Sequence, residues 1–197
     1  MSASTRRLTL IVHIVMSVGW LGAVAAFLVL SMVGLNSEDN SVVRAAFVSM
    51  DLLGRYLIVP LSFAALGSGI LQSLTTQWGL FRHYWVVTKL VLTIGATALL
   101  LLHQYSAVAT ASNLVMRSEN SAASLEVIGL GRQLTLDAIL AIVVLVGTTV
   151  LSVLKPWGPV RFGRRAGVRY VLVALGVAVL IVAVVHLAGG GLGHHGR

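Results

Sequence analysis

The sequence predicts an all-α, polytopic membrane protein built as a bundle of five transmembrane helices. Of its 197 residues, 57% are hydrophobic and only 10% are charged, whereas soluble domains carry about 25% charged residues. Five apolar runs, near residues 8–35, 56–77, 85–112, 134–154 and 167–188, approach or exceed the ~20 residues that a helix needs to cross a bilayer. Without a linker or a composition break, residues 1–197 are expected to form a single integral membrane domain.

The charges between the apolar runs predict an orientation. The acidic residues lie in two of the stretches that separate or flank the runs, Asp137 just inside the fourth run, and the basic residues crowd the other stretches. The acidic residues are Glu38, Asp39, Asp51, Glu119, Glu126 and Asp137; the basic residues that set the orientation are Arg6, Arg7, Arg82, Lys89, Lys155, Arg161, Arg164, Arg165 and Arg169. The positive-inside rule places this basic side in the cytoplasm. We therefore expect a multi-pass protein of the bacterial inner membrane, with its N-terminus inside, its C-terminus outside and its first helix retained as a span.

Composition also excludes several classes of function. The net charge of +8 lies in short loops beside membrane spans, where it meets anionic lipid headgroups, so nucleic acid is not an expected partner. The chain has no cysteine, which excludes disulfides, iron–sulfur clusters and thiolate metal sites. A bound metal would have to use His, Met, Lys or oxygen ligands. The sequence leaves oligomeric state open.

The second predicted helix is preceded by a segment of mixed polarity. Residues 41–54 combine charged and apolar side chains, so they lie flat at the outer interface or extend the helix outward. Asp51 and Arg55 are four residues apart and can pair on a helix. Pro60 removes one backbone hydrogen bond and should bend or open the helix.

Four ionisable residues inside the spans are the strongest functional candidates, because such groups are costly in lipid. At 1.5 Å of rise per residue, His13 and Lys89 lie roughly 6–8 Å from the inner edge, whereas His103 and His186 lie roughly 27–29 Å along their helices. The polar groups thus form an inner and an outer layer. The outer layer also includes Asp51, Arg55, Gln104, Arg132 and Asp137.

Helical spacing predicts which of these residues share a face. His13, Ser17 and Trp20 point the same way on the first helix. On the third helix a 4-3-4-3-4 spacing places one set of residues on a face that should look into the bundle. This set is Trp85, Lys89, Leu92, Ala96, Leu99 and His103.

Each candidate has a functional and a structural interpretation. His13 is an axial ligand of haem iron, or an imidazole satisfied by a nearby serine or carbonyl. Lys89 binds a cofactor, or extends its ammonium group to the headgroups and anchors the helix. His103 and His186 bind a second haem, or they bind nothing. A third interpretation is a copper ion bound by these two histidines together with Met32, Met50 and Met116.

Several short motifs resemble a known group of small membrane proteins. His13 followed by Trp20-Leu21-Gly22, Arg55 before Pro60, Trp78-Gly79-Leu80 and the segment from Trp85 to Leu90 resemble the HemJ-type protoporphyrinogen oxidases and the related CopD-like family. The blocks 82–103 and 186–190 resemble uncharacterised five-helix actinobacterial membrane proteins. The HemJ likeness covers roughly the first 110 residues and implies haem b at His13 and Lys89. The fifth helix and the Gly/His tail depart from that pattern.

The sequence therefore predicts a haem b protein, with His13 as axial ligand and Lys89 as second ligand or propionate partner. Trp20 and Trp85 would wall the pocket. The expected role is transmembrane electron transfer or another membrane redox reaction, which would make the protein an oxidoreductase with a quinone or a redox protein as partner. The alternatives are copper transport or sensing through His103 and His186, and a structural membrane subunit without a cofactor.

Overall fold

The computed structural model describes residues 3–76, 80–117 and 125–155, which form long helices and no strand. Four helices follow one another: α1 (Ala3–Asn36), α2 (Asn40–Thr75), α3 (Tyr84–Arg117) and α4 (Leu125–Leu154). Each of them is long and apolar enough to cross a membrane. The predicted all-α membrane architecture is thereby confirmed for the described residues. The fifth predicted span, residues 167–188, lies outside them.

The helices pack in a ring. Contacts run from α1 to α2, from α2 to α3, from α3 to α4 and from α4 back to α1, which is the pattern of a four-helix bundle. The described acidic residues all lie toward one end of the bundle, which we call the acidic end and which includes Glu38, Asp39 and Glu126. The opposite end carries Arg6, Arg7, Arg82 and Lys155 and is called the basic end.

All four described helices are longer than the apolar runs predict. The segment Asn40–Leu53 extends α2 away from the basic end, which decides between the two predicted arrangements. α4 begins at Leu125, nine residues before the predicted residue 134, and α3 continues to Arg117. With lengths of 30 to 36 residues, the helices measure about 45–54 Å, more than the ~30 Å hydrocarbon core.

These extensions form because a continuous apolar core supports them. Val43, Phe47 and Met50 of α2 are fully buried and belong to the same apolar core as Ala111 and Val115 of α3. The segment is amphipathic, so its mixed polarity comes from one buried and one exposed face. The apolar runs underestimated the lengths of α2 and α4, because a run of apolar residues does not include a helical segment that has one apolar and one polar face.

Two π turns interrupt the helices at the same level. α2 widens at Gly54–Ile58, just before Pro60, and α3 widens at Gln104–Val108. The helix is therefore opened close to the proline, as predicted. Gln104 fills the space above Gly54 and donates from Nε2 to the Asp51 carboxylate at 3.0 Å. Asp51 also accepts from Arg55 Nε at 2.8 Å, which confirms the predicted pair.

Substituting Gly54 tests this junction. A Cβ at Gly54 would lie 1.8 Å from Oε1 of Gln104, a side chain that is only 1% exposed and has little room to move. Gly54→Ala should therefore displace the amide and destabilise the protein by about 1–3 kcal/mol. Gly67→Ala is the matched control, because nothing lies within 4 Å of its Cβ. Equal thermal midpoints for the two detergent-solubilised variants would contradict the proposed junction.

Asp39 caps the N-terminus of α2 at the acidic end. Its Oδ1 accepts from the hydroxyl of Ser41 at 2.7 Å and from the Ser41 backbone N–H at 2.8 Å. These bonds, the hydroxyl first, hold the pKa of the Asp39 carboxyl below its usual value.

This cap makes stability dependent on pH. Because the folded pKa is depressed, the stabilisation is complete above the unfolded pKa of roughly 4 and is lost as the pH falls through the folded value. Thermal midpoints of the purified protein should therefore decrease below about pH 4. Asn can cap without a charge, so Asp39→Asn should show a weaker decrease over the same range. An identical decrease in both proteins would exclude Asp39 as the cause.

Candidate cofactor cavity

A cavity of about 750 Å³ opens near the basic end of the bundle. All four helices contribute to its wall, and the four predicted cofactor residues, His13, Trp20, Trp85 and Lys89, all line it. Ser17 lines it as well, so the predicted face of α1 is confirmed. The volume lies within the range of about 300–1,000 Å³ that is usual for cofactor and ligand sites.

The His13 side chain is hydrogen-bonded to a residue of α2. Its Nδ1 lies 3.1 Å from Oγ of Ser68, and the Ser68 hydroxyl donates to the Ala65 carbonyl at 3.2 Å. Because the one hydroxyl proton is used in that bond, the Ser68 oxygen accepts from Nδ1–H of His13. In this arrangement Nε2 carries the lone pair, and within the described residues no side-chain bond to Nε2 is formed.

Gly69 allows the imidazole to approach the α2 backbone. A Cβ there would lie 3.0 Å from Cε1 of His13, which is tighter than ordinary packing. Neither Ser68 nor Gly69 is among the site residues that the sequence predicts. A Gly-Ser-Gly run in a span was the available signal, since small residues let a side chain from another helix come close.

The Lys89 side chain is hydrogen-bonded to a residue of α4. Its ammonium nitrogen donates to Oγ of Ser152, whose own hydroxyl donates to the Thr148 carbonyl at 2.9 Å. Lys89 is half-buried in the cavity wall. A bond to a neighbouring helix differs from the anchoring interpretation, in which the ammonium reaches the headgroups. Ser152 was also missed, because its partner is 63 residues away in the chain.

The charged side chains in the described wall of the cavity are all basic. They are Arg6, Arg7, Lys89 and Lys155, and the described wall contains no carboxylate. The remaining wall is mostly apolar. The indole Nε1 of Trp20, a residue only 3% exposed, is buried and has no hydrogen-bond partner in the described part of the chain. An anionic amphiphile with its charged groups toward the basic end would complement this arrangement.

The predicted outer layer forms a separate cluster. His103 Nδ1 lies 2.7 Å from Oδ2 of Asp137, and both side chains are largely buried, at 14% and 13% exposure. Gln104 follows directly and bonds Asp51. Arg132 is exposed at the acidic end, and His186 lies outside the described residues.

A metal at this outer layer gains no support. Among residues 3–76, 80–117 and 125–155, no group of three or more His or carboxylate side chains is arranged to hold a metal ion. One nitrogen of His103 faces Asp137. The second haem or copper ion predicted at His103 and His186 therefore stays a prediction.

The bundle interior confirms the predicted face of α3. Trp85 and Lys89 line the cavity near the basic end, whereas Leu92, Ala96, Leu99 and His103 line a second, smaller pocket nearer the acidic end.

No known family, curated protein or solved structure matches this chain. The geometry of the described residues is therefore the basis for assigning a function.

Proposed function

We propose that the cavity near the basic end binds haem b, with Nε2 of His13 as an axial ligand of the iron. The observation that supports this most directly is the His13–Ser68–Ala65 chain of hydrogen bonds, which commits Nδ1 as a donor and leaves Nε2 able to ligate. Metal-binding histidines are typically oriented by such a bond from their other nitrogen. Bundle interiors commonly hold cofactors between facing helices.

The other lining residues fit the remaining parts of a haem. The apolar wall with Trp20 and Trp85 suits the macrocycle, and Arg6, Arg7 and Lys155 suit the two propionates near the headgroups. Lys89 would serve as second ligand or as a further propionate partner. Haem supplies a one-electron carrier, and its potential would depend on the axial ligands and the low-dielectric wall.

In this proposal the basic end faces the cytoplasm of a bacterium, as the positive-inside rule requires. The protein would act in the inner membrane, passing electrons to or from a quinone or a redox partner protein. The HemJ-like motifs imply haem b at the same two residues, His13 and Lys89.

An absorption spectrum tests haem binding. Protein produced with ample haem and purified in detergent should show an intense Soret band and should change its spectrum on reduction with dithionite. A colourless preparation with a normal helical circular dichroism spectrum would overturn the proposal and favour a structural role, in which His13, Lys89 and His103 only pair with Ser68, Ser152 and Asp137.

A further inference from the structure

The smaller pocket is lined mostly by apolar side chains, which come from all four described helices. Its volume is about 100 Å³, of the same order as the ~150 Å³ of an apolar cavity that holds one benzene ring. A haem macrocycle is far larger than this space. The pocket therefore suits a ligand with a single flat head group that is soluble in lipid.

His103 offers such a ligand one polar atom. Its Nδ1 is buried 2.7 Å from Oδ2 of Asp137. Its Nε2 is not buried, and no hydrogen bond to it is formed within the described residues. The other polar groups of the wall do not compete for a ligand, because Trp20 Nε1, Gln104 Oε1 and the Asp137 carboxylate are buried and Gln104 Nε2 donates to Asp51. The pocket thus presents apolar surface and one imidazole nitrogen.

Asp137 determines what that nitrogen can bond. A carboxylate this close to Nδ1 favours a proton on Nδ1, which fixes the state of the opposite nitrogen. Nε2 then accepts from a hydroxyl when the ring is neutral and donates to a carbonyl when the ring is protonated. A quinol and its quinone differ in this respect, since oxidation turns the ring hydroxyls into carbonyls. His103 can therefore bond a ring oxygen of either form.

The pocket also has room for the tail of such a molecule. Leu99, Ala96 and Leu92 lie below His103 on the same face of α3, and all three line the pocket. From His103 to Leu92, α3 rises roughly 16 Å, so this apolar strip runs from the imidazole toward the middle of the bundle. A phospholipid acyl chain could lie along the strip, but it would bring no polar atom to Nε2.

The position of the pocket connects it with the proposed haem. Trp20 lines both the pocket and the larger cavity. A ring bound in the pocket would therefore lie close to the cofactor, as electron exchange between the two requires. Other lipid-soluble rings with one hydroxyl would fit the imidazole, but they would not exchange electrons with haem.

We propose that this pocket binds the head ring of a membrane quinone, with Nε2 of His103 bonded to one ring oxygen and the tail along α3. The choice of a redox-active ring rests on the proposed function. Binding of the ring does not require haem, because none of the residues that would contact it is a proposed haem ligand.

A titration of the haem-free protein tests the proposal. Protein produced without added haem is placed in lipid nanodiscs, and decylubiquinone is added while tryptophan emission is recorded. Quinones quench indole emission at short range, and Trp20 lines the pocket, so the wild type should show saturable quenching. Absence of saturable quenching both by decylubiquinone and by a naphthoquinone with the same tail would overturn the proposal.

A variant that fills the pocket provides a specific comparison. Gly95 lines the pocket, and a Cβ there would meet no atom within 4 Å. Gly95→Leu should therefore occupy the pocket, leave the bundle intact and remove the saturable quenching. Gly147→Leu is the matched control, because its Cβ also meets nothing within 4 Å and Gly147 lines neither space. Equal titrations of these two variants would overturn the proposal.

The bond to Nε2 is tested separately. His103→Leu combined with Asp137→Leu removes the imidazole without leaving an unpaired carboxylate. The affinity for decylubiquinone should decrease roughly tenfold, whereas the haem spectrum should stay unchanged because neither residue lines the larger cavity. An unchanged affinity in a variant with wild-type circular dichroism would overturn the assigned bond. The Soret band and the quenching are independent measurements, so failure of haem binding and failure of quinone binding are distinguishable.

Discussion

Replacing His13 with glycine should abolish the Soret band of the purified protein. The substitution removes the axial nitrogen and leaves an imidazole-sized space next to Gly69. Free imidazole added to His13→Gly should therefore enter the cavity and restore the band. The measurement is an absorption titration with imidazole, using 2-methylpyrrole as a control of similar size without a ligating nitrogen.

Two further variants separate ligation from positioning. Ser68→Ala removes the acceptor of Nδ1–H but keeps Nε2, so the band should persist with lower haem affinity, by roughly 10–100-fold as for other residues that orient a metal-binding histidine. Lys89→Met should shift the band if Lys89 ligates iron and should leave its position unchanged if Lys89 pairs with a propionate. An undiminished band in His13→Gly without imidazole would exclude His13 as the ligand.

The second large effect is expected at the His103–Asp137 pair. His103→Leu removes the group facing the Asp137 carboxylate and leaves that carboxylate largely buried. Breaking a fully buried pair from one side costs about 3–5 kcal/mol. Because these side chains are 14% and 13% exposed, we expect a smaller loss of about 2 kcal/mol, measured as the free energy of unfolding in mixed micelles.

The double variant provides the control. His103→Leu with Asp137→Leu removes both polar groups and should recover most of the lost stability, since apolar replacements of a buried pair are often neutral. Non-additive free energies in this double-mutant cycle would establish the coupling. A stabilising metal at His103 predicts something different, namely that a chelator lowers the stability of the wild type. An unchanged wild-type midpoint with EDTA is expected.

The sequence predicted the faces of the helices correctly. His13, Ser17 and Trp20 share one wall, and the face of α3 from Trp85 to His103 looks into the bundle over its whole length. These inferences needed only the 3.6-residue period and the cost of ionisable groups in lipid. The Asp51–Arg55 pair was predictable for the same reason, because its two members are one helical turn apart.

Other features required contacts between distant parts of the chain. Ser68, 55 residues from His13, and Ser152, 63 residues from Lys89, became partners only through the rotation and axial register of packed helices. The contact of Gln104 with Gly54 has the same origin. Serine and glycine are common in membrane helices, so their presence alone does not identify a partner.

The sequence by itself determined the membrane class, the approximate spans and the polar residues that face inward. The tertiary structure decided that His13, Trp20, Trp85 and Lys89 share one cavity, that His103 lies against Asp137, and that Trp20 lines both the cavity and the smaller pocket. The physical reason is that periodicity acts within a helix and orients its side chains. The height and rotation of one helix against another depend on the packing of the whole bundle, which no local pattern encodes.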